Sequence, residues 1–250
     1  MKAMILAAGL GTRLRPLTND RPKALVEIAG HALLEVTMAR LRHFGVREVI
    51  VNVHHFADRV IEYLKSKNNF AMRVEVSREN LLLDTGGGLK KAAWFFLEGG
   101  SNAPFILHNV DVISTIDLAA MLGFHQRSQA LATLAVQERT SSRYLLFDEH
   151  MRLCGRRLVK EQKIEKVRSV EKPKELAFAG IHIISPQLLK MMSEEGVFSI
   201  IDSYLRLAQN GESIVGYRTD HTYWRDLGKP ENIAAAERDL KDRVFTMDLD

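Results

Sequence analysis

Near the start of the chain, the apolar run Lys2-Ala3-Met4-Ile5-Leu6-Ala7-Ala8 stops at two glycines one residue apart, Gly9 and Gly11. Small and branched apolar residues bounded by glycine predict a buried strand followed at once by a tight loop. The loop is basic, with Arg13, Arg15, Arg21 and Lys23 close behind that strand. Glycine lets the backbone approach a ligand and leaves N–H groups exposed. Cations beside such a loop suit phosphate oxygens. The stretch therefore predicts a triphosphate site; the other reading is a tight strand-to-helix turn with solvated arginines. It is not a dinucleotide fingerprint, because the third glycine is missing and Arg13 and Leu14 stand where small residues belong. Nor is it a P-loop, since no Gly-Lys-Ser/Thr follows.

Downstream, Leu33, Leu34, Met38, Leu41 and Phe44 fall near helical spacing and Gly45 follows, which predicts a helix over 33–44. Strands are predicted at 46–53, 72–77 and 104–110, with a helix at 56–65. Gly86-Gly87-Gly88 is expected to open a helix that runs to Leu97. Strand and helix thus alternate as far as Asp111, the signature of a doubly wound, mostly parallel α/β sheet. Ligands of such sheets sit at the carboxyl ends of the strands. There the glycine loop, the glycine triplet and Asp111 are expected to converge. The second half predicts helices at 116–126, 186–192, 198–208 and 230–243, and strands at 131–137, 178–185 and 213–217. Residues 141–172 read as short antiparallel hairpins at or beyond one sheet edge, and 223–228 as a turn. One continuous domain is expected over 1–250.

Charge and cysteine content narrow the function classes. The net charge is +4, from 35 basic and 31 acidic residues spread along the chain. A nucleic-acid partner would need a concentrated basic stripe. The one cysteine, Cys154, allows no internal disulfide and fits a reducing compartment. Neither a signal-peptide pattern nor an apolar run of the roughly 20 residues needed to span a bilayer is present. The expectation is a cytoplasmic enzyme without a nucleic-acid or membrane partner; a homo-oligomer is compatible with it.

Asp111 closes an apolar strand, where a carboxylate is costly unless paired or bound to metal. Asp226 follows Tyr223-Trp224-Arg225 and precedes Gly228. Two carboxylates with waters and phosphate oxygens would suit Mg²⁺; taken singly, each aspartate also reads as a cap or an ion-pair partner. Lys172, in Glu171-Lys172-Pro173, is either a cation for a second phosphate or part of a solvated hairpin. His54 and His55 are adjacent and would face opposite ways in an extended chain, so they make a poor joint metal site. Cys154 reads as a buried, inert thiol, and no Ser/His/Asp arrangement stands out.

The opening AAGLGTRLRPLTNDRPKAL resembles the signature of sugar-1-phosphate nucleotidylyltransferases. Four further segments follow in family order. Leu83-Asp84-Thr85-Gly86-Gly87-Gly88 is similar to the family's Leu-x-Thr-Gly-Gly/Ala segment. Asn109-Val110-Asp111 resembles its metal-binding Gly-Asp strand end, with Val110 in place of glycine. Phe178-Ala179-Gly180-Ile181 resembles its sugar-contacting strand, and Trp224–Pro230 its Trp-x-Asp-x-Gly-Thr-Pro segment.

The resemblance implies a Rossmann-like nucleotidyltransferase fold, with a nucleoside triphosphate and a sugar 1-phosphate as substrates and Mg²⁺ as cofactor. By it, Leu6, Ala8 and Gly9 would lie against the base and ribose. Gly11, Thr12 and Arg13 would hold the triphosphate, and Lys23 a phosphate near the reacting phosphorus. Glu79 and Gly86 belong to the base-contacting segment. Asp111 and Asp226 would hold the metal. Asn109, Glu171, Lys172 and Gly180 would face the sugar phosphate. Arg13, Lys23, Asp111 and Asp226 would carry the chemistry.

The compact length resembles stand-alone uridylyltransferases for N-acetylmuramate 1-phosphate in cell-wall recycling. It also resembles short guanylyltransferases for mannose or heptose 1-phosphate; the β-helix domain of longer members is not expected. A cytidylyltransferase for choline phosphate, with Tyr223 and Trp224 lining its pocket, and a non-catalytic nucleotide sensor are the alternatives.

Overall fold

In the computed structural model, which describes residues 1–247, fourteen strands and eight α-helices follow one another along the chain. In order they are β1 (Lys2–Leu6), β2 (Glu27–Ile28), β3 (His31–Ala32), α1 (Leu33–His43), β4 (Glu48–Val53), α2 (Ala57–Ser66), β5 (Arg73–Arg78), α3 (Asp84–Lys91), α4 (Ala93–Leu97), β6 (Phe105–Asn109) and β7 (Val112–Ser114). Then come α5 (Leu118–Ser128), β8 (Ala132–Gln137), β9 (Arg143–Phe147), β10 (Leu153–Leu158), β11 (Lys163–Lys166), β12 (Lys174–Ile184), α6 (Gln187–Met191), α7 (Ile200–Gln209), β13 (Ile214–Arg218), β14 (Trp224–Asp226) and α8 (Pro230–Lys241). The chain divides into two compact units, each assembled from separate stretches: 1–84 with 107–116 and 222–247, and 85–106 with 117–221.

The first unit carries the parallel part of this α/β fold. β1 pairs in parallel with β4, and β4 with β5, Met4 standing opposite Ile50. Ala3, Met4, Ile5, Val49, Ile50 and Val51 are all fully buried. Such continuous apolar runs are what a parallel strand needs when both its faces are covered. Helix α1 buries Leu33, Leu34, Met38 and Leu41, and Gly45, at φ +79°, lets the chain leave it.

Antiparallel pairing dominates the second unit. The hairpins predicted for 141–172 are β9, β10 and β11, and the antiparallel pattern continues from β9 to β12 and from β12 to β8. Asp117 caps α5 by accepting the Ala120 N–H at 2.9 Å, satisfying a first-turn donor. His125 on α5 is buried and hydrogen-bonded on both sides, to the Thr133 hydroxyl at 2.9 Å and the Ser185 hydroxyl at 3.0 Å.

Two local expectations change. The glycine triplet does not precede its helix but lies inside it, within α3, which breaks at Ala92 before α4. Glycine in a helix interior costs about 1 kcal/mol relative to alanine. Packing explains its presence here: a Cβ on Gly86 would fall 2.3 Å from the Phe198 ring. The Phe198 carbonyl also accepts the Gly86 N–H at 2.9 Å, taking a first-turn donor that has no partner within the helix. The second change is in the segment predicted as a turn over 223–228, which contains the strand β14, antiparallel to β7.

Candidate active site

The loop after β1 is shaped by Gly11 and Thr18. Gly11 has φ +64°, and a Cβ there would fall 2.9 Å from Thr18 Cγ2 and 3.1 Å from Lys23 Cβ. The Gly11 carbonyl accepts from Leu14 N–H at 2.8 Å and from the Thr18 hydroxyl at 2.9 Å. This ties the loop into a single turn of 3₁₀ helix over Thr12–Leu14. Leu14 is fully buried and anchors the turn, while Thr12 and Arg13 stay exposed. A second short turn, Lys23–Leu25, is anchored by buried Ala24.

From that turn Lys23 reaches Asp111 and forms an ion pair with its carboxylate. Asp111 lies between β6 and β7, and the β7–β14 pairing sets Asp226 opposite Val112. The Leu227 N–H donates to the Asp111 carbonyl at 2.7 Å, which fixes the two chain segments at this point. Arg13 approaches from the glycine loop, its Nη2 3.9 Å from Asp226 Oδ2.

Gly228 closes the arrangement. Its N–H donates to Asp226 Oδ1 at 2.6 Å. A Cβ on Gly228 would fall 2.6 Å from Arg13 Nη2, 2.7 Å from Asp226 Oδ1 and 3.1 Å from Asp111 Oδ2. All three side chains thus surround one point. Burial, and then the charge of Asp111, push the Asp226 carboxyl above the ordinary carboxylate range, against the Gly228 N–H, Arg13 and Lys23. Two carboxylates and two cations therefore meet around Gly228.

Beneath β14 a second layer holds the strand. Tyr223 stacks on Phe245 with ring centroids 4.3 Å apart and donates its hydroxyl to Asp239 Oδ2 at 2.7 Å. Arg225 Nη2 reaches the same oxygen at 2.6 Å, and Asn232 Nδ2 donates to the Asp226 carbonyl at 2.7 Å. Tyr223 is thus committed to the brace.

The other predicted residues are placed as follows. Leu6 accepts the Val110 N–H through its carbonyl at 3.2 Å, Ala8 is buried and Gly9 exposed. Asn109 is half-buried at the end of β6. Glu79 is 3% exposed, and its two carboxylate oxygens accept from Asn52 Nδ2 at 2.7 Å and Leu83 N–H at 3.0 Å. In the second unit, Gly86 packs on Phe198, and Glu171 and Lys172 are exposed between β11 and β12. Gly180 has φ +75° within the irregular stretch where the β12–β8 register shifts between Phe178 and His182. Cys154 is buried, and burial raises its thiol pKa. Among the described residues, no group of three or more His, Cys, Asp or Glu side chains forms a metal cluster. None of the helices there is long and apolar enough to cross a membrane.

Sequence reasoning missed Gly228, Thr18 and Asn52. For Asn52 a signal existed, a lone amide inside the apolar run Val49–Val53. Thr18 and Gly228 lie within the segments that resemble the family's motifs, but their contacts depend on which neighbours the fold brings up.

Residues 2–243 match the family described as Nucleotidyl transferase. The chain is 34% identical over 247 residues to N-acetylmuramate alpha-1-phosphate uridylyltransferase of Caulobacter vibrioides, covering 95% of this chain and 96% of that protein. It is 30% identical to mannose-1-phosphate guanyltransferase of Yarrowia lipolytica, covering 93% of this chain but only 62% of that longer protein. The crystal structure of HddC from Yersinia pseudotuberculosis shares the fold, with a TM-score of 0.74 at 24% identity, over 96% of this chain and 99% of that one. With its parallel strand core, its glycine loop and a match over nearly its whole length, the chain belongs to the nucleotidyl transferase family.

Proposed function

We propose that this protein transfers a nucleotidyl group from a nucleoside triphosphate to a sugar 1-phosphate, with UTP and N-acetylmuramate 1-phosphate as the preferred pair. The observation that carries the reading is the meeting of Arg13 and Lys23, from the loop after β1, with Asp111 and Asp226 around Gly228. The choice of pair is supported by the 34% identity to the Caulobacter uridylyltransferase over nearly the whole length of both chains. A guanylyl reading, with GTP and mannose 1-phosphate, is the second choice, supported by the Yarrowia relative. A single, buried cysteine suits the reducing cytoplasm, where the reaction would run.

In this reaction an oxygen of the sugar phosphate attacks the α-phosphorus of the nucleotide. The bond from that phosphorus to the bridging oxygen breaks, and pyrophosphate leaves with the electron pair. Both reactants are anions, so charge repulsion dominates the barrier, and positioning and neutralisation supply most of the acceleration. Arg13 is exposed beside Asp226 and would contact the triphosphate from the loop after β1. Lys23 is held close to the reacting centre by Asp111. The exposed N–H groups of the glycine loop would orient the phosphates.

The residues present fit a Mg²⁺ ion. Two carboxylates with room left for water and phosphate oxygens match its usual donor set. Burial and the neighbouring Asp111 charge raise the Asp226 pKa, and a side chain at Gly228 would crowd both carboxylates. Asp111 and Asp226 would hold the ion, which would offset the charge of the triphosphate.

The test is release of pyrophosphate from each of the common nucleoside triphosphates with Mg²⁺ and a panel of sugar 1-phosphates. UTP with N-acetylmuramate 1-phosphate is expected to be fastest. Faster turnover of GTP with mannose 1-phosphate selects the second choice, and no pyrophosphate from any pair overturns both.

A further inference from the structure

Asn52 lies in the middle of the first unit's sheet, its backbone in register with Leu6 on one side and Ser77 on the other. It is 3% exposed. Its side-chain oxygen accepts the Ala7 N–H at 2.7 Å, and its side-chain nitrogen donates to Glu79 Oε1 at 2.7 Å. Glu79 Oε2 accepts the Leu83 N–H at 3.0 Å. The backbone of Glu79 is held as well, its N–H donating to the Val53 carbonyl at 2.8 Å and its carbonyl lying 2.8 Å from His54 Nδ1.

The direction of every bond in this chain is forced. A backbone N–H can only donate, so the Asn52 oxygen must face Ala7 and its nitrogen must face Glu79. Leu83 also presents an N–H, so both oxygens of Glu79 must accept. An ionised carboxylate satisfies that demand. A glutamine in its place would turn an NH₂ group onto another donor, in a site where a buried unsatisfied polar group is costly.

We propose that Asn52 is a positioning residue for the nucleotide. Through Ala7 it fixes the strand end that leads into Gly9 and Gly11, and through Glu79 it fixes the segment that ends at Leu83. The two segments are locked in one spacing before any ligand arrives, and the lock acts on nucleotide affinity rather than on the chemical step. The proposal rests on the reading of the glycine loop as the nucleotide site.

Exchanging the two polarities tests it. Asn52→Asp places a carboxylate against Glu79, and Glu79→Gln places an amide against the Leu83 or Asn52 donor. In the double variant N52D/E79Q, the carboxylate introduced at position 52 accepts from the Ala7 N–H and from the amide introduced at position 79. The oxygen of that amide then accepts from the Leu83 N–H. The full-length proteins are titrated with UTP and GTP, and KM and kcat are measured separately.

Each single variant is expected to weaken binding of the preferred nucleotide by about tenfold or more, with a smaller change in kcat. The double variant is expected to recover most of that loss. Wild-type affinity in N52D, or a double variant that binds no better than the weaker single one, overturns the proposal. Recovery of melting temperature in the double variant without recovery of affinity also overturns it, since the bond would then be structural only. If neither single variant folds, a folded double variant with near wild-type affinity supports the proposal, and a double variant that is unfolded or does not bind overturns it. A wild-type protein that binds neither nucleotide sinks the nucleotide reading itself, a result distinct from all of these.

Discussion

Lys23 and Asp111 are paired with their side chains only 16% and 9% exposed. The lysine comes from the loop after β1 and the aspartate from the end of β6, so the pair joins the glycine loop to the carboxylate site. A buried charge left without its partner is strongly unfavourable. Lys23→Met is therefore expected to lower stability by about 1–3 kcal/mol and turnover by about 10²-fold. Urea unfolding and pyrophosphate release measure the two effects. Asp111→Asn is expected to show a similar loss of turnover, and near-normal pyrophosphate release from it would remove Asp111 from the mechanism.

Gly228→Ala tests the shape of the site. The new methyl would stand 2.7 Å from Asp226 Oδ1 and 3.1 Å from Asp111 Oδ2. Arg13 can swing away, but Asp226 is held by the N–H of Gly228 itself. Displacement of the carboxylates by a few tenths of an ångström is expected to cost about 10- to 100-fold in kcat. The melting temperature should change little. Wild-type kcat in this variant would show that the carboxylates tolerate the shift.

Gly11→Ala tests the loop. The position has φ +64°, and the added Cβ would meet Thr18 at 2.9 Å. The left-handed conformation alone costs about 1–2 kcal/mol in an L-residue. A fall in stability of at least that size is expected, with weaker triphosphate binding by calorimetric titration. Unchanged affinity for UTP and GTP would separate the loop from the nucleotide.

Stability should fall in mild acid because of two buried histidines. Burial lowers the pKa of His125 to about 4, and burial together with the charge of Arg40 does the same for His108. The unfolded chain takes up these protons near pH 6.5, before the folded protein does. Between about pH 6.5 and 4 the unfolded state thus binds more protons, and stability declines as pH falls. Each histidine contributes a slope of up to about 1.4 kcal/mol per pH unit. His125→Asn should flatten its share of that slope in urea unfolding followed from pH 7 to 4. An unaltered slope would assign the acid sensitivity to other groups.

The sequence alone determined most of the longer helices and strands and much of the parallel strand core. Buried strands and amphipathic helices announce themselves through apolar spacing, as in Met4–Ile5 and in Leu34, Met38 and Leu41. That signal is local, and tertiary contacts only reinforce it. The glycine loop, its cations and both aspartates were legible as residue types suited to phosphate and metal.

Tertiary structure decided how they are used. Asp111 and Asp226 meet because β14 pairs with β7, a contact between stretches more than a hundred residues apart, in a segment whose glycine and aromatics read as a turn. Gly86 sits within a helix because Phe198 fills the space its side chain would need. Asn52 and Glu79 share one hydrogen-bond chain because Glu79 follows directly on β5, the parallel neighbour of β4. Periodicity reports which face of an element is buried; which residue of another element lies against that face is set by pairing and packing across the fold.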